Sequence, residues 1–393
     1  MEWVRLGDIA EVTSGKNAPK ENEFSINGHP FIRAGHLEPL IQGLDENSLP
    51  LISFDTAKKK KYKLYKPDTI IFAKSGMSIL KDRVYMLKKP SYIVNHLAAL
   101  EINKPDVNSD FIKYQLSYLK PSSLIKGESY PSLSLTDIKN LKLFLPTKSN
   151  QNKIVGLLNK VEVLIKIRKE QVQAYDDLIE SLFFEIINKS PINEVSFDDL
   201  FEIIDGDRGK NYPKKNDLLE EGYCLFLNTK NVTKTGFKFD QQEFMAKEKD
   251  EKLRKGRSKI GDFILTTRGT VGNIAYIDKN IEFKNIRINS GMVILRKKLN
   301  INPKFFEVLI RKTDILLKAK SGSAQPQLPI KSLKKVFIPT VDIELQNKFA
   351  DYVIKIEEEK KKLRSSLAEL ETLFDALMQD AFSGNLFKDW EGR

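Results

Sequence analysis

The chain is written twice, and no other feature restricts its fold as tightly. Sliding the sequence over itself by about 190 to 195 positions aligns one feature after another in the same order. "LGDIAEVTSG" (Leu6 to Gly15) falls on "FDDLFEIIDG" (Phe197 to Gly206), and "FIRAGHL" (Phe31 to Leu37) on "FLNTKNV" (Phe226 to Val232). "DTIIFAK" (Asp68 to Lys74) meets "DFILTTR" (Asp262 to Arg268), and "VNHLAALEI" (Val94 to Ile102) meets "INSGMVILR" (Ile288 to Arg296). "IKNLKLFLP" (Ile138 to Pro146) meets "IKSLKKVFIP" (Ile330 to Pro339), and "QNK" follows both prolines, at Gln151 and Gln346. A duplication with preserved order demands two homologous units of about 145 residues. Within them, "TIIFAK", "RVYML", "FILTT", "NIAYI" and "MVILR" read as short strands, while "SDFIKYQLSYLK" and "PKFFEVLIRKTDILLKAK" read as helices. Each unit is expected to be a mixed α/β domain.

Behind each unit lies a heptad. Steps of four and three from Ile154 give Leu158, Val161, Ile165, Arg168, Val172, Tyr175, Ile179, Leu182 and Ile186. From Phe349 they give Val353, Ile356, Lys360, Leu363, Leu367, Leu370, Phe374, Leu377 and Ala381. Each series has one charged member, so the pattern predicts two long helices meeting along a coiled-coil seam. A helix of nearly forty residues is about 60 Å long at ~1.5 Å per residue. Only the short "NKSPINEVS" separates the first helix from the second unit. The second unit therefore belongs near the far end of that helix, and a returning second helix makes the pair antiparallel, with a pseudo-twofold and a unit at either end. Arg168 and Lys360 are then register-setting polar positions or cations that reach out of the seam. The alternative is two amphipathic helices, each lying on its own domain with a wider stripe.

Composition narrows the function. Cys224 is the only cysteine, which leaves no internal disulfide and no thiolate zinc cage, and His29, His36 and His96 sit at no metal-ligand spacing. No apolar run is long enough for a bilayer, and "MEWVRLGDIAEV" lacks a secretory pattern, so a cytoplasmic location is expected. The formal net charge of +12 favours a polyanionic partner. No nucleophile elbow and no phosphate loop is present, and "GDRGK" (Gly206 to Lys210) is too short for a phosphate cradle. "NPKF" lacks the second proline of an adenine-methyltransferase tetrapeptide; Asn302 reads instead as a helix N-cap with Pro303 behind it.

The polar residues that remain lie on turns. "LTTRGTVGNIA" places Arg268 at a strand end before Gly269 and Gly272, either as an ordinary tight hairpin or as an arginine fork able to read guanine or clamp phosphate. "FLNTKNVTKTG" offers Asn228, Lys230 and Asn231, and "SGSAQPQL" offers Gln325 and Gln327, whose amides suit adenine. Arg208 and Lys210 join them from "GDRGK". In the first repeat the corresponding candidates are Arg33, His36, Lys74 and Ser75. "AKKKKYK" (Lys58 to Lys61) and "KLRKGRSK" (Lys252 to Lys259) are solvated charge runs or phosphate contacts.

Two diverged α/β domains, each closed by a proline-bearing strand end and a long helix beginning near "QNK", with "TTRGTVGNIAYI", "GSAQPQLPIKSL" and the ending "LMQDAFSGNLF", resemble the specificity subunit of type I restriction-modification systems. The likeness covers the whole chain and is strongest from "LFLNTKNV" onward; "AKSGMSILKD" lacks the second glycine of its counterpart. The resemblance implies a noncatalytic subunit whose two target-recognition domains, residues 1–147 and 190–340, each read one half of a bipartite, asymmetric DNA site. Residues 148–189 would be the first long helix and 341–393 the second long helix with a C-terminal tail, the antiparallel helices setting the unread gap. It also implies two methyltransferase subunits as partners, acting on adenine N6, with S-adenosylmethionine, ATP and Mg2+ held by partner subunits and none by this chain. Motor and nuclease subunits can join such complexes. The competing reading of the same residues is a noncatalytic coiled-coil scaffold with nonspecific DNA affinity. A third, a self-contained nuclease or methyltransferase, would need activity from the purified chain.

Overall fold

Short apolar runs punctuated by turn residues become strands in the computed structural model, which describes residues 2–125, 130–322 and 326–383. The chain divides into two compact units, Met1–Lys169 with Ser365–Arg393, and Glu170–Arg364. The first unit carries β1 (Glu2–Arg5), β2 (Ala10–Ser14), β3 (His29–Ile32), β4 (Leu51–Ile52), β5 (Ile70–Ala73), β6 (Val84–Met86), β7 (Tyr92–Ile93), β8 (Leu97–Ile102) and β9 (Lys142–Leu145). They form an antiparallel sheet in the order β2-β8-β5-β6, a smaller sheet β4-β3-β7 in which β3 and β7 run parallel, and an antiparallel pair of β1 with β9.

The second unit repeats this plan with β10 (Asn193–Ser196), β11 (Phe201–Asp205), β12 (Cys224–Leu227), β13 (Val232–Thr233), β14 (Gly236–Phe237), β15 (Phe244–Met245), β16 (Arg257–Ser258), β17 (Phe263–Thr266), β18 (Ile274–Tyr276), β19 (Ile286–Ile288), β20 (Met292–Lys297) and β21 (Phe337–Thr340). Its sheets are β11-β20-β17-β18 and β15-β12-β19-β16, with β10 pairing β21 and a small β13-β14 ribbon. The central strands are apolar throughout because both faces are covered, and side chains alternate between them. Phe263, Leu265, Val293 and Leu295 belong to the core shared with the helices. Ile264 and Ile294 belong to the core shared with Leu225, Leu227, Ile286 and Ile288 of the second sheet.

The four longest helices are α1 (Ser109–Leu119), α2 (Lys148–Lys189), α3 (Pro303–Lys312) and α4 (Ile343–Phe382). The Asn302 side chain caps α3 by accepting from the backbone N–H groups of Lys304 and Phe305, at 2.9 and 3.3 Å, and Asn108 caps α1 by accepting from that of Phe111 at 3.2 Å. The helix expected to run through to Lys320 stops at Lys312. Thr313 is extended (φ −121°, ψ 151°), and the chain restarts as a 3₁₀ turn over Ile315–Ala319. The β-branched Thr313 gives its hydroxyl to the carbonyl of Leu309, a local bond that serves a helix end well and a helix interior poorly.

The long helices are paired, and each unit builds half of both into its core. In the first, Ile154, Val155 and Leu158 of α2 join Met378, Ala381 and Phe382 of α4 around Phe111. In the second, Ile179 and Phe183 of α2 join Phe349, Val353 and Ile356 of α4 around Phe305. Phe183 meets Phe349 while Asp176 meets Lys360, so the numbering runs in opposite directions and the pair is antiparallel. Every residue of the two heptad series is buried or half-buried. Toward the domains the stripe widens to take in Val155, Phe183 and Ala350, as expected of a helix lying on a globular core. Lys360 is 6% exposed and ion-paired to Asp176, so its ammonium crosses the seam instead of reaching out of it. Among the described residues no helix is long and apolar enough to cross a membrane.

Candidate nucleic-acid interface

Parallel pairing of β3 with β7, and of β12 with β19, brings both C-terminal strand ends to one edge of each domain. There a short connection into the next strand becomes a hub. In the first unit it is Val94–His96. The N–H of Val94 donates to the carbonyl of Ile32, just before Arg33, at 3.0 Å, and that of Asn95 to the carbonyl of Lys16 at 2.8 Å. The N–H of Lys74 donates to the carbonyl of His96 at 2.9 Å, and the Ser75 hydroxyl lies 2.8 Å from His96 Nδ1. In the second unit the hub is Asn289–Gly291. The N–H of Asn289 donates to the carbonyl of Leu227, next to Asn228, and those of Thr267 and Arg268 to the carbonyl of Gly291. Arg208 reaches Asp205 at 3.1 Å and the Ser290 carbonyl at 3.3 Å.

The hubs therefore collect candidates that are scattered in sequence. Arg33, Arg208, Lys210, Lys230, Arg268 and Gly269 are exposed, and His36, Lys74, Ser75, Asn228 and Gln327 are half-buried. Gln327 pairs with Ser321 in a short bridge, and the N–H of Leu328 donates to the carbonyl of Thr267, which brings Gln327 beside the strand end that carries Arg268. Arg268 sits on the turn joining β17 to β18, with Gly269 at φ +71° and Gly272 at φ +94°, so this stretch is both a tight hairpin and the carrier of an exposed guanidinium.

Three expectations change. Asn231 is buried: its amide donates to the carbonyls of Lys238 and Gln241, and its oxygen accepts from the N–H of Asn228, so it holds the loop and presents nothing. Asn228 Oδ1 accepts from the N–H of Lys230 and Nδ2 donates to Glu243, which turns most of that amide inward as well. In the "KLRKGRSK" run, Arg257 pairs with the buried Asp250, which also takes Arg287 Nε at 2.6 Å, so Arg257 is committed to the fold. Gln325 and the end of "LMQDAFSGNLF" lie outside the described residues.

Asp207 fastens this face. It accepts from the backbone N–H groups of Gly209 and Arg254, both at 2.7 Å, tying Gly206–Lys210 to the basic run. Burial opposes its ionisation, yet those N–H groups hold its carboxyl below the usual range. His36 shifts the other way from a phosphate-seeking cation: burial first, and the Arg33 charge second, push its pKa below the ordinary imidazole value. Its Nδ1 accepts from the N–H of Arg33 at 3.2 Å. A hollow of about 350 Å³ in the first unit is lined by Gly15, Lys16, Asn17, Lys60, Tyr62 and Asn95, and so links the lysine run to the hub. In the second unit a cleft of about 890 Å³ runs from the Val271–Asn273 turn to the long helices, with Lys234, Lys320, Lys361 and Arg364 on its walls. Among the described residues no cluster of His, Cys, Asp and Glu could hold a metal ion.

The hub residues Lys16, Asn17, Asn95, His96, Asn289 and Ser290 escape a sequence search for contact residues. For Asn95, His96, Asn289 and Ser290 the one signal is the repeat alignment of "VNHLAALEI" with "INSGMVILR"; Lys16 and Asn17 lie just past the aligned "LGDIAEVTSG" and have none.

Fold and face together define a duplicated binding module: two loop-bearing α/β domains, each fastened to half of a paired-helix element. The family model described as "Type I restriction modification DNA specificity domain" matches residues 1–174 and again 189–371, and the chain belongs to that family. The type I restriction enzyme MjaIX specificity subunit of Methanocaldococcus jannaschii is 30% identical over 189 residues, 47% of this chain and 43% of that protein. The putative MjaX specificity subunit of the same organism is 33% identical over 82 residues, 20% of this chain and 19% of that one. The match thus spans less than half of either relative. A type I restriction-modification S subunit from M. genitalium has the same fold, with TM-score 0.56, 18% identity and 97% and 96% of the two chains covered. So does a chain from a structure concerned with complex assembly and conformational transition of the type I R-M system, with TM-score 0.61, 18% identity and 98% of each covered.

Proposed function

We propose that this chain is the DNA-reading subunit of a type I restriction-modification complex, with residues 1–147 and 190–340 each reading one half of a bipartite, asymmetric site. The observation that carries the reading is the duplicated hub, which offers different side chains in each copy. Arg33, Lys74, Ser75 and His96 stand at the first, and Arg208, Lys210, Lys230, Arg268, Gly269 and Gln327 at the second. Two equivalent faces with unlike chemistry suit two unlike half-sites, hence a non-palindromic target.

The long helices, within residues 148–189 and 341–393 (the latter with the C-terminal tail), set the unread gap and dock two methyltransferase subunits. Val163, Leu164 and Ile167 on α2 and Tyr352 and Ile354 on α4 are exposed apolar residues outside the seam, and they supply the apolar surface such subunits need. S-adenosylmethionine, ATP and Mg2+ belong to the partners, some of which can be motor and nuclease subunits, and the work is done in the cytoplasm where the DNA lies.

The test is methylome sequencing of the source organism with and without the gene. Loss of N6-methyladenine at one gapped, asymmetric motif supports the reading, and an unchanged methylome in a strain that expresses the partner subunits overturns it. At residue level, Arg268→Ala should relax one half-site by about 1–3 kcal/mol of discrimination and leave the other untouched. Equal loss at both would sink the assignment.

A further inference from the structure

At the root of each long helix the repeated Gln-Asn pair makes the same clasp. In the first unit Gln151 Oε1 accepts from the backbone N–H of Asn108 at 2.8 Å, and Gln151 Nε2 donates to the carbonyls of Pro146 at 2.8 Å and Asp106 at 3.2 Å. Asn108 Nδ2 donates to Asn152 Oδ1 at 2.8 Å. In the second unit Gln346 Oε1 accepts from the N–H of Asn302 at 2.9 Å, Gln346 Nε2 donates to the carbonyl of Val341 at 2.8 Å, and Asn302 Nδ2 donates to Asn347 Oδ1 at 2.8 Å. The glutamines are 1% and 3% exposed.

Each clasp joins the cap of the domain helix, the end of the closing strand and the first turn of the long helix. An apolar side chain could fill the same buried volume, but apolar contact is indifferent to direction whereas hydrogen bonds are not. A buried amide whose donor and acceptor are both engaged admits only one arrangement of the segments it joins.

We infer that the Gln151-Asn152 and Gln346-Asn347 clasps are positioning residues, which fix the angle between each domain and its long helix and so keep the gap uniform without touching DNA. The consequence for the gap rests on the function proposed above; the angular restraint does not.

Because Cys224 is buried and is the only cysteine, introduced cysteines can be labelled selectively. Spin labels at Lys279→Cys and Lys355→Cys, both exposed positions of the second unit, report the distance between domain and helix in the full-length chain by pulsed electron resonance. The native distance distribution should be narrow, and Gln346→Leu should broaden it at least twofold. An unchanged width in a variant with native circular dichroism overturns the inference. Asn347→Ala removes only the exposed bond and carries the same comparison if Gln346→Leu does not fold. In the assembled methyltransferase complex, Gln346→Leu should keep both half-sites while methylation spreads to gaps one nucleotide longer and shorter. Methylation that falls evenly at an unchanged gap means a merely structural role. A native complex that methylates no gapped motif defeats the proposed function, and the spectroscopic comparison still decides the clasp.

Discussion

Gly15 and Gly206 occupy the point where each hub crosses the end of the first long strand, and neither has room for a side chain. A Cβ would lie 1.9 Å from the Ile93 carbonyl oxygen at Gly15 and 2.3 Å from that of Asn289 at Gly206. The obstacle is backbone, which cannot swing aside, so Gly206→Ala must displace the Asn289–Gly291 hub that holds Arg208 and Arg268. The expected cost is about 1–3 kcal/mol, in the range of overpacking, read as a lower denaturation midpoint. Recognition should fail at the second half-site and survive at the first. His36 gives a second test at this scale. Burial, reinforced by Arg33, lowers its folded pKa, so the neutral ring is the favoured form. Its contribution to stability is complete above the unfolded value of about 6.5, and drains away as pH falls through that value toward the folded one. In a proton-detected titration His36 should show its midpoint below about 6.5, and Arg33→Gln should move it upward. A midpoint that ignores the substitution would remove Arg33 as a cause.

Among the elements, the long helices follow most directly from sequence, because a heptad is local: Leu158, Ile165, Val353 and Leu367 announce their face within a few turns. The hubs do not. They arise from the parallel pairing of β3 with β7 and of β12 with β19, contacts between segments some sixty residues apart that no local pattern encodes. The turn residues Asn95 and Ser290 look like any polar loop until those strands meet. Asn231 is hidden from sequence for a related reason, since nothing local distinguishes an exposed loop amide from one that the loop closes around. The helices carry their own prediction. Inserting four residues after Lys169 and a matching four after Arg364 adds one turn, about 6 Å of rise, to each helix. The half-sites should stay the same while the gap grows by about two base pairs, at ~3.4 Å each. Methylome sequencing that returned the original gap would refute the ruler.

For the molecule as a whole, the formal net charge of +12 favours approach to a polyanion such as the DNA of the proposed function, and carries nothing about which sequence is chosen. Most of the excess is spread over exposed lysines, and the "AKKKKYK" run shows how such charge divides. Lys60 is held by Glu23 at 2.7 Å and lines the hollow that opens on the hub, while Lys58, Lys59 and Lys61 are exposed around it. Phosphate contacts in general orient a duplex and release counterions, so they set the salt dependence of binding, whereas base-edge contacts set its specificity. Under the proposed function the lysine run makes the first kind and the hub side chains the second. Replacing Lys58, Lys59 and Lys61 with glutamine should therefore weaken binding to the cognate and to a scrambled duplex by the same factor. The slope of log affinity against log salt should flatten by up to about 3, near 0.9 for each phosphate lost. The methylated motif should not change. Fluorescence anisotropy of the assembled complex over a salt series measures both quantities together. A variant that kept the native slope would take the run off the DNA surface, and one that altered the motif would make it part of the reading face.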